Sequence, residues 1–389
     1  MKTEHKKLGD YIEVLNRRNS DLKLGLDSVR GISNTKQITE TSKATVDESV
    51  ISKFYVINPG EFVYNPRTTR MGDKVGLAFN NTDKPLLFTF NNLAFKIKDS
   101  AKNKLLPDYL YLFFCRSEFD RYARINSWGS ATELFLFEDL CNIKLAIPDL
   151  KEQERIVNTY NAITKRIQLK QKINENLEKT AILKLENMLD NESLEKKSIK
   201  VESICEVKGG KRLPLDSDLI KNKTSHPYIR IRDIKENCFV MLNNEFLYVD
   251  DETQKEIARY ITETNDLLIS IVGTIGLTAI VHKSLDKANL TENCVKLTKM
   301  KKLIPEYVLI YLRTRTGQSA ISQATVGAVQ AKLPLKNIQN LDIPFFKDSI
   351  MKEYNDFLRK TFICVSNNLE EIIKLQSFGQ LVISRISGM

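Results

Sequence analysis

The sequence predicts an α/β chain: two similar globular units, each mixed α+β, separated by two long helices, in the order 1–150, 151–190, 191–347 and 348–389. Two observations predict it. One set of landmarks occurs twice in the same order, and after each copy the chain loses Pro and Gly and takes up a helical period. Length and composition agree with this. A chain of 389 residues implies two or three domains at roughly 100–200 residues each. A hydrophobic fraction of 42% is enough for ordinary cores, which excludes a disordered chain.

The landmarks run as follows. Asn58-Pro-Gly-Glu-Phe-Val-Tyr64 matches Glu263-Thr-Asn-Asp-Leu-Leu-Ile269: a polar turn, an acid, then a strand. Pro107-Asp-Tyr-Leu-Tyr-Leu-Phe matches Pro305-Glu-Tyr-Val-Leu-Ile-Tyr, each a Pro at a helix start with an acid behind it. Trp128-Gly-Ser-Ala-Thr, then Leu140 to Ile147-Pro148, matches Val326-Gly-Ala-Val-Gln, then Ile338 to Ile343-Pro344. Strands are expected over Lys53–Ile57, Leu93–Ile97, Pro227–Ile231, Asp266–Ile271 and Leu277–His282. Helices are expected over Pro107–Arg124, Asp251–Ala258 and Pro305–Arg315.

After the first Ile-Pro, Ile156, Tyr160, Ile163 and Ile167 are spaced 4-3-4, and Leu177, Ala181 and Met188 continue the stripe. A helix of nearly 40 residues is about 57 Å long. After the second, Leu358, Phe362, Val365, Leu369 and Ile372 are spaced 4-3-4-3. Such narrow seams need a partner face, and the simplest is the other helix, as a coiled coil. The plainer alternative is that each helix packs only on its neighbouring unit.

Charge and chemistry narrow the function. The formal net charge is +10, which attracts phosphate without identifying a partner. Cys115, Cys141, Cys205, Cys238, Cys294 and Cys364 are scattered singly, as expected of reduced thiols in a cytoplasmic protein. His5, His226 and His282 lie far apart, so no metal site is expected. The opening MKTEHKKLGD has no apolar stretch of a secretory signal, and no apolar run reaches the roughly 18 residues of a membrane span. No Walker loop, no dinucleotide-type glycine loop and no Asn/Asp-Pro-Pro-aromatic motif of an adenine methyltransferase occurs; Asn58-Pro59-Gly60 and Asn65-Pro66-Arg67 both fail it. Pro148-Asp149 and Glu195-Lys-Lys197, at opposite ends of a long helix, do not make a nuclease pattern. No catalytic residue is expected.

These residues, in this order, resemble the specificity subunit of type I restriction–modification systems. Val207-Lys-Gly-Gly210 is similar to the family's opening turn, and Pro227-Tyr-Ile-Arg-Ile-Arg-Asp-Ile234 to its Ile-Arg strand. Asn265-Asp-Leu-Leu-Ile-Ser-Ile-Val-Gly-Thr-Ile-Gly276 resembles its Gly-Thr-Ile-Gly segment, Thr325–Pro344 its closing loop and strand, and Ile147–Ile156 its Pro-Leu-x-x-Gln helix entry. The first unit departs from the pattern. It lacks the Gly-Gly turn and the Gly-Thr-Ile-Gly pair and carries Tyr64-Asn-Pro-Arg-Thr-Thr-Arg-Met-Gly72 instead, which suggests a different target. The second helix entry has lost the Gln.

The resemblance implies two target-recognition domains on an antiparallel coiled coil, each reading half of a bipartite target in double-stranded DNA. It implies two modification subunits carrying S-adenosylmethionine and methylating adenine, joined in cleaving forms by restriction/translocase subunits that use ATP and Mg. No cofactor is expected on this chain.

The candidate DNA-binding residues of the first unit are Arg67, Thr69, Arg70 and Lys74 on one loop, and Arg121 and Arg124 before Trp128. Those of the second are Lys208, Lys211 and Arg212 around Gly209-Gly210, Arg230 and Arg232 leaving one strand face, and Thr274, Gln330 and Lys332. Arginine can bridge both acceptors of guanine, and a cationic loop suits phosphate. Each has a plainer alternative: a solvated basic loop for Arg67–Arg70, a salt bridge to Asp233 or Glu236 for the Arg230 pair, a core position for Trp128. Gly273-x-x-Gly276 joins two strands, which favours a tight turn over an RNA-binding loop. The rival for the whole chain is a scaffold that holds proteins, not DNA, on a coiled-coil rod.

Overall fold

The computed structural model describes residues 5–41, 48–67, 74–129, 132–234, 237–327 and 330–386. The chain divides into two compact units, Met1–Arg166 with Leu375–Met389, and Ile167–Lys374. The long helices Leu150–Asp190 and Asp348–Ser384 therefore each contribute to both units.

The first unit is built on an antiparallel sheet ordered Ile12–Leu15, Leu93–Ile97, Phe62–Tyr64, Leu77–Phe79. The second repeats that order as Glu206–Gly209, Cys294–Thr298, Leu267–Ser270, Thr278–Val281, with Phe239–Val240 added in parallel at the far edge. Each unit also closes with a two-stranded ribbon, His5–Lys7 on Lys144–Ala146 and Lys197–Lys200 on Asp342–Phe345. The Tyr of the repeated Pro-acid-Tyr landmark explains its presence. Tyr109 and Tyr307 are both buried, and their hydroxyls donate to the closing strands, at Ala146 O (3.4 Å) and Pro344 O (2.7 Å).

The first expected Pro-led helix is split in two, and the second, found nearly as expected, is followed at once by a further helix. The first is Pro107–Phe114 followed by Ser117–Ile125, because Arg116 adopts an extended backbone. The second is Pro305–Arg313 followed by Arg315–Ala324, where the Thr314 hydroxyl accepts from Gly317 N–H (3.1 Å) and caps the second piece. The strand expected over Lys53–Ile57 is Tyr55–Ile57, preceded by a 3-10 turn over Glu48–Lys53.

Within the second unit the helices run antiparallel. Ala181 O accepts from Tyr354 Oη (2.6 Å), while Asn368 Nδ2 donates to Asn174 Oδ1 (2.8 Å). Leu358, Phe362, Val365 and Ile372 are buried, with Leu177 and Leu369 half-buried. Lys170 Nζ completes a polar layer by donating to Asn368 Oδ1 (2.8 Å) and pairing with Glu371 (2.8 Å). Within the first unit Val157 and Ile163 are buried, Ile156 and Tyr160 half-buried, and Val157 shares a core with Ile383 and Ile386. Ile167, at the unit boundary, is half-buried. The start of the first helix is locked by Gln153, which is fully buried. It donates to Lys104 O (2.7 Å) and Pro148 O (2.8 Å) and accepts from Leu106 N–H (2.8 Å).

The second unit's sheet is fastened to its part of the first long helix by Arg313. The guanidinium donates to Glu178, to both Thr278 oxygens and to Asn237 O, with the side chains of Arg313 and Glu178 only 13% and 18% exposed. Arg315 adds bonds to Glu186 and Asp190. Breaking a buried pair strands the remaining charge, at a cost of about 3–5 kcal/mol. Arg313→Ala is expected to lower unfolding stability by about 3 kcal/mol or more, and Arg315→Ala, whose own side chain is 77% exposed, by under about 1 kcal/mol. Denaturant unfolding of the two variants checks this, and equal losses would contradict it.

Candidate nucleic-acid interface

The repeated sheet gives the two units corresponding turns, one flanked by Arg67 and Lys74 and the other carrying Thr274, and corresponding loops that begin at Trp128 and Val326. In the second unit Gly209 pairs with Val295 and Ser270 with Cys294, at one end of the sheet. The segments that leave this end are Gly210–Arg212, the turn after Ser270, and Thr291–Asn293. The loop Val326–Lys332 joins them: Val272 bridges Lys332, and Leu333 N–H donates to Ile271 O (3.0 Å). Ile231 Cδ1 approaches Gly273 from the next turn. Arg212, Arg232, Thr274, Gln330 and Lys332 are thereby gathered at one end, and all five are exposed or nearly so. Thr274 also lines a cleft of about 1040 Å³ against the first long helix, with Gln171, Asn174, Glu178 and Arg313.

The charges there are not all free. Arg212 Nε donates to Glu292 Oε1 (3.0 Å). Burial by itself would raise the Glu292 carboxyl, but hydrogen bonds from Arg212, the backbone and Thr291 outweigh it and hold the pKa below the usual range. Lys208 pairs with Glu206 (2.5 Å), which Lys299 also binds, and hydrogen bonds from these two lysines bring the Glu206 carboxyl down to about 2. Lys211 is exposed, its Nζ 5.8 Å from the centre of the Tyr260 ring.

Arg230 is a correction. The strand ends at Ile229, and Ile231–Asp233 is a 3-10 turn, so Arg230 and Arg232 do not alternate out of one strand face. The Asp233 carboxylate causes the turn by accepting from the Arg230 backbone N–H (2.9 Å) and twice from its guanidinium (2.8 and 2.7 Å). With the pair only 13% and 7% exposed, Arg230 is a structural residue. Arg232 points outward, with no partner among the described residues.

The Gly-Gly turn serves packing. A Cβ on Gly210 would lie 2.0 Å from Thr291 O, whereas one on Gly209 meets only Leu335 Cδ2 at 3.9 Å. The turn Gly273–Gly276 joins two antiparallel strands, as its sequence suggested.

In the first unit, Arg67 and Lys74 flank the connection between strands Phe62–Tyr64 and Leu77–Phe79, the counterpart of the turn after Ser270. Thr69 and Arg70 lie outside the described residues. Arg67 bridges Leu134, which in turn bridges Trp128, and Phe135 N–H donates to Pro66 O (2.8 Å). Arg124, on the last turn of its helix, binds Glu133 on the same loop, and Arg121 is 72% exposed beside Glu118 (3.8 Å). Trp128 is a second correction: it is 71% exposed and has no place in the core. The sequence held a signal for this in the adjoining Gly129 and the matching Val326-Gly327. Arg313 went unread as an anchor, because its partners lie far away along the chain.

A profile of the family described as "Type I restriction modification DNA specificity domain" matches residues 2–179 and again 194–376. The chain belongs to this family. It is 24% identical, over 173 aligned residues, to the type I restriction enzyme EcoBI specificity subunit of Escherichia coli. That match covers 39% of this chain and 35% of the relative, so the chain spans about a third of the length of the curated protein it matches. The crystal structure of the S subunit of a type I restriction-modification system from M. genitalium is similar in fold. It has a TM-score of 0.55 and 13% identity, covering 98% of this chain and 95% of that one. Each family match takes in one copy of the repeated sheet and ends within a long helix. Among the described residues no helix is long and apolar enough to cross a membrane, and no group of His, Cys, Asp and Glu could hold a metal ion.

The glycine geometry makes a prediction specific to the family's opening turn. Gly210→Ala is expected to destabilise the second unit by about 2–3 kcal/mol through overpacking, and Gly209→Ala by less than about 1 kcal/mol. Thermal melting of both variants checks it, and an equal effect would show that the turn is needed for something other than close packing.

Proposed function

We propose that this chain is the non-catalytic DNA-specificity subunit of a type I restriction–modification complex. Each recognition unit reads one half of a bipartite target, and the paired helices set the gap between halves. The observation that carries this reading is the duplication. The family profile matches twice, and each match holds the same sheet with polar and cationic loops at the same end. Phosphate contacts from residues such as Arg232 and Lys332 would position each unit, and polar loop residues such as Gln330 would read base edges.

Catalysis falls to partners: two modification subunits that carry S-adenosylmethionine and methylate adenine in each half, and, in the cleaving form, two restriction/translocase subunits using ATP and Mg. Base-resolution methylation mapping of the native genome, with and without the gene, tests the reading. Loss of one gapped, bipartite methylated motif is expected. An unchanged pattern, with the modification partner shown to be active, would overturn the assignment in favour of a protein scaffold.

The ruler has its own test. Four residues make about one helical turn, or about 6 Å, so adding four residues to both long helices is expected to lengthen the spacer of the methylated motif. Both half-sequences should stay the same. A constant spacer would remove the helices from that role.

A further inference from the structure

In the first unit, the two most exposed large apolar side chains among the described residues are Ile125 (75%) and Trp128 (71%), three positions apart. The backbone beneath the indole is braced. Trp128 and Leu134 exchange hydrogen bonds (3.1 and 2.9 Å), and Ser127 Oγ donates to Ala123 O (2.5 Å). Gly129 turns the chain at φ +145, where a Cβ would lie 2.1 Å from Thr132 O. The ring is therefore presented on a fixed base, and little ordering is needed for it to bind.

The second unit repeats the device. Val326 and Lys332 exchange the same two bonds (2.8 and 2.8 Å), Gly327 follows at φ +95, and Val326 is 49% exposed. An apolar tip in the same exposed place of two diverged copies points to a use for the tip. In the first unit, Arg67 joins the same loop through Leu134, Arg124 joins it through Glu133, and Arg121 lies one turn back on the helix that leads into it. The neighbouring acids are engaged: Glu118 with Arg121 (3.8 Å), Glu133 with Arg124, and Asp120 with buried Lys36 (2.6 Å). An apolar point on a loop flanked by arginines fits a nucleic-acid groove, where phosphates form the rim and stacked bases the floor.

We propose that Trp128 is a wedge: when the first unit engages double-stranded DNA, the indole enters the groove and stacks into one base step of that unit's half-target, opening it locally. This rests on the DNA-reading function proposed above. Arg67, Arg121 and Arg124 take the flanking phosphates. Stacking accepts any base face, so the wedge adds affinity and a preference for easily unstacked pyrimidine–purine steps, not hydrogen-bond readout. The second unit, with Val326 in place of the indole, opens its half less.

The test uses the full chain assembled with its modification subunits and a duplex carrying the bipartite motif found by methylation mapping. 2-Aminopurine is placed at successive positions of both halves, and binding is followed separately by the anisotropy of an end label. Emission is expected to rise at one step of one half, away from the methylated adenine. It should be lost in Trp128→Ala and kept in Trp128→Phe, and Trp128→Ala should bind about tenfold more weakly with an unchanged melting temperature. If Trp128→Ala binds as tightly and gives the same emission profile, the wedge is wrong and DNA reading stands. If the unsubstituted complex binds no duplex at all, DNA reading itself fails and the wedge goes with it.

Discussion

The Arg313 guanidinium meets Glu178, Thr278 and Asn237 where water is largely excluded, and so ties a sheet hairpin, its supporting helix and a long helix at one point. In water such a pair would be weak. Here loss of one partner leaves a charge with nowhere to go, so the contact is more valuable for its position than for its net energy. The turn after Ser270 and the loop Val326–Lys332 hang from the same hairpin. If the hairpin shifted on the helix, every candidate contact at that end of the sheet would move with it. Positioning to within a fraction of a hydrogen-bond length is what base recognition requires, and a buried fork of donors supplies it better than apolar packing, which tolerates sliding.

The helix pair of the second unit uses the same logic. Asn174, Asn368 and Lys170 interrupt an otherwise apolar seam. A polar layer costs stability, and the Asn174 Nδ2 atom is buried with no partner among the described residues. Its benefit is register. With Asn facing Asn only one alignment lets the two side chains bond each other, whereas an all-leucine seam would allow alignments one turn apart. For helices proposed to measure distance, a slip of one turn would be a functional error even if the fold survived it.

Much of this was legible in the sequence, for identifiable reasons. The Pro-acid-Tyr landmark was visible twice because its physical job is local: a helix start whose Tyr reaches the closing strand. The long helices were visible through their period, and Leu358, Phe362 and Val365 are buried where that period places them. Arg230 was misplaced because alternation of Arg and Ile reads as a strand, while the Asp233 carboxylate, three residues on, pulls the chain into a tight turn that binary pattern does not encode. Gly210 was read only as part of a cationic loop suited to phosphate. What it supplies is close approach to Thr291, a long-range fact absent from any local window. Arg313 was not singled out because its partner is 135 positions away.

Trp128 shows where composition arguments mislead. A lone Trp in a chain of ordinary hydrophobicity is most often packed, because its large apolar area is costly to leave in water. That argument holds for a ring whose backbone is free to choose. Here the choice is made by Gly129, by the paired bonds to Leu134 and by the Arg124–Glu133 contact, which together hold the loop with its tip outward. The second copy keeps the same brace around a smaller apolar residue, so exposure is a property of the loop architecture before it is a property of tryptophan. A duplicated framework that forces its tip into solvent leaves the residue at that tip as the variable part. Trp in one copy and Val in the other is then the kind of difference by which two units of one fold would treat the two halves of the proposed target unequally.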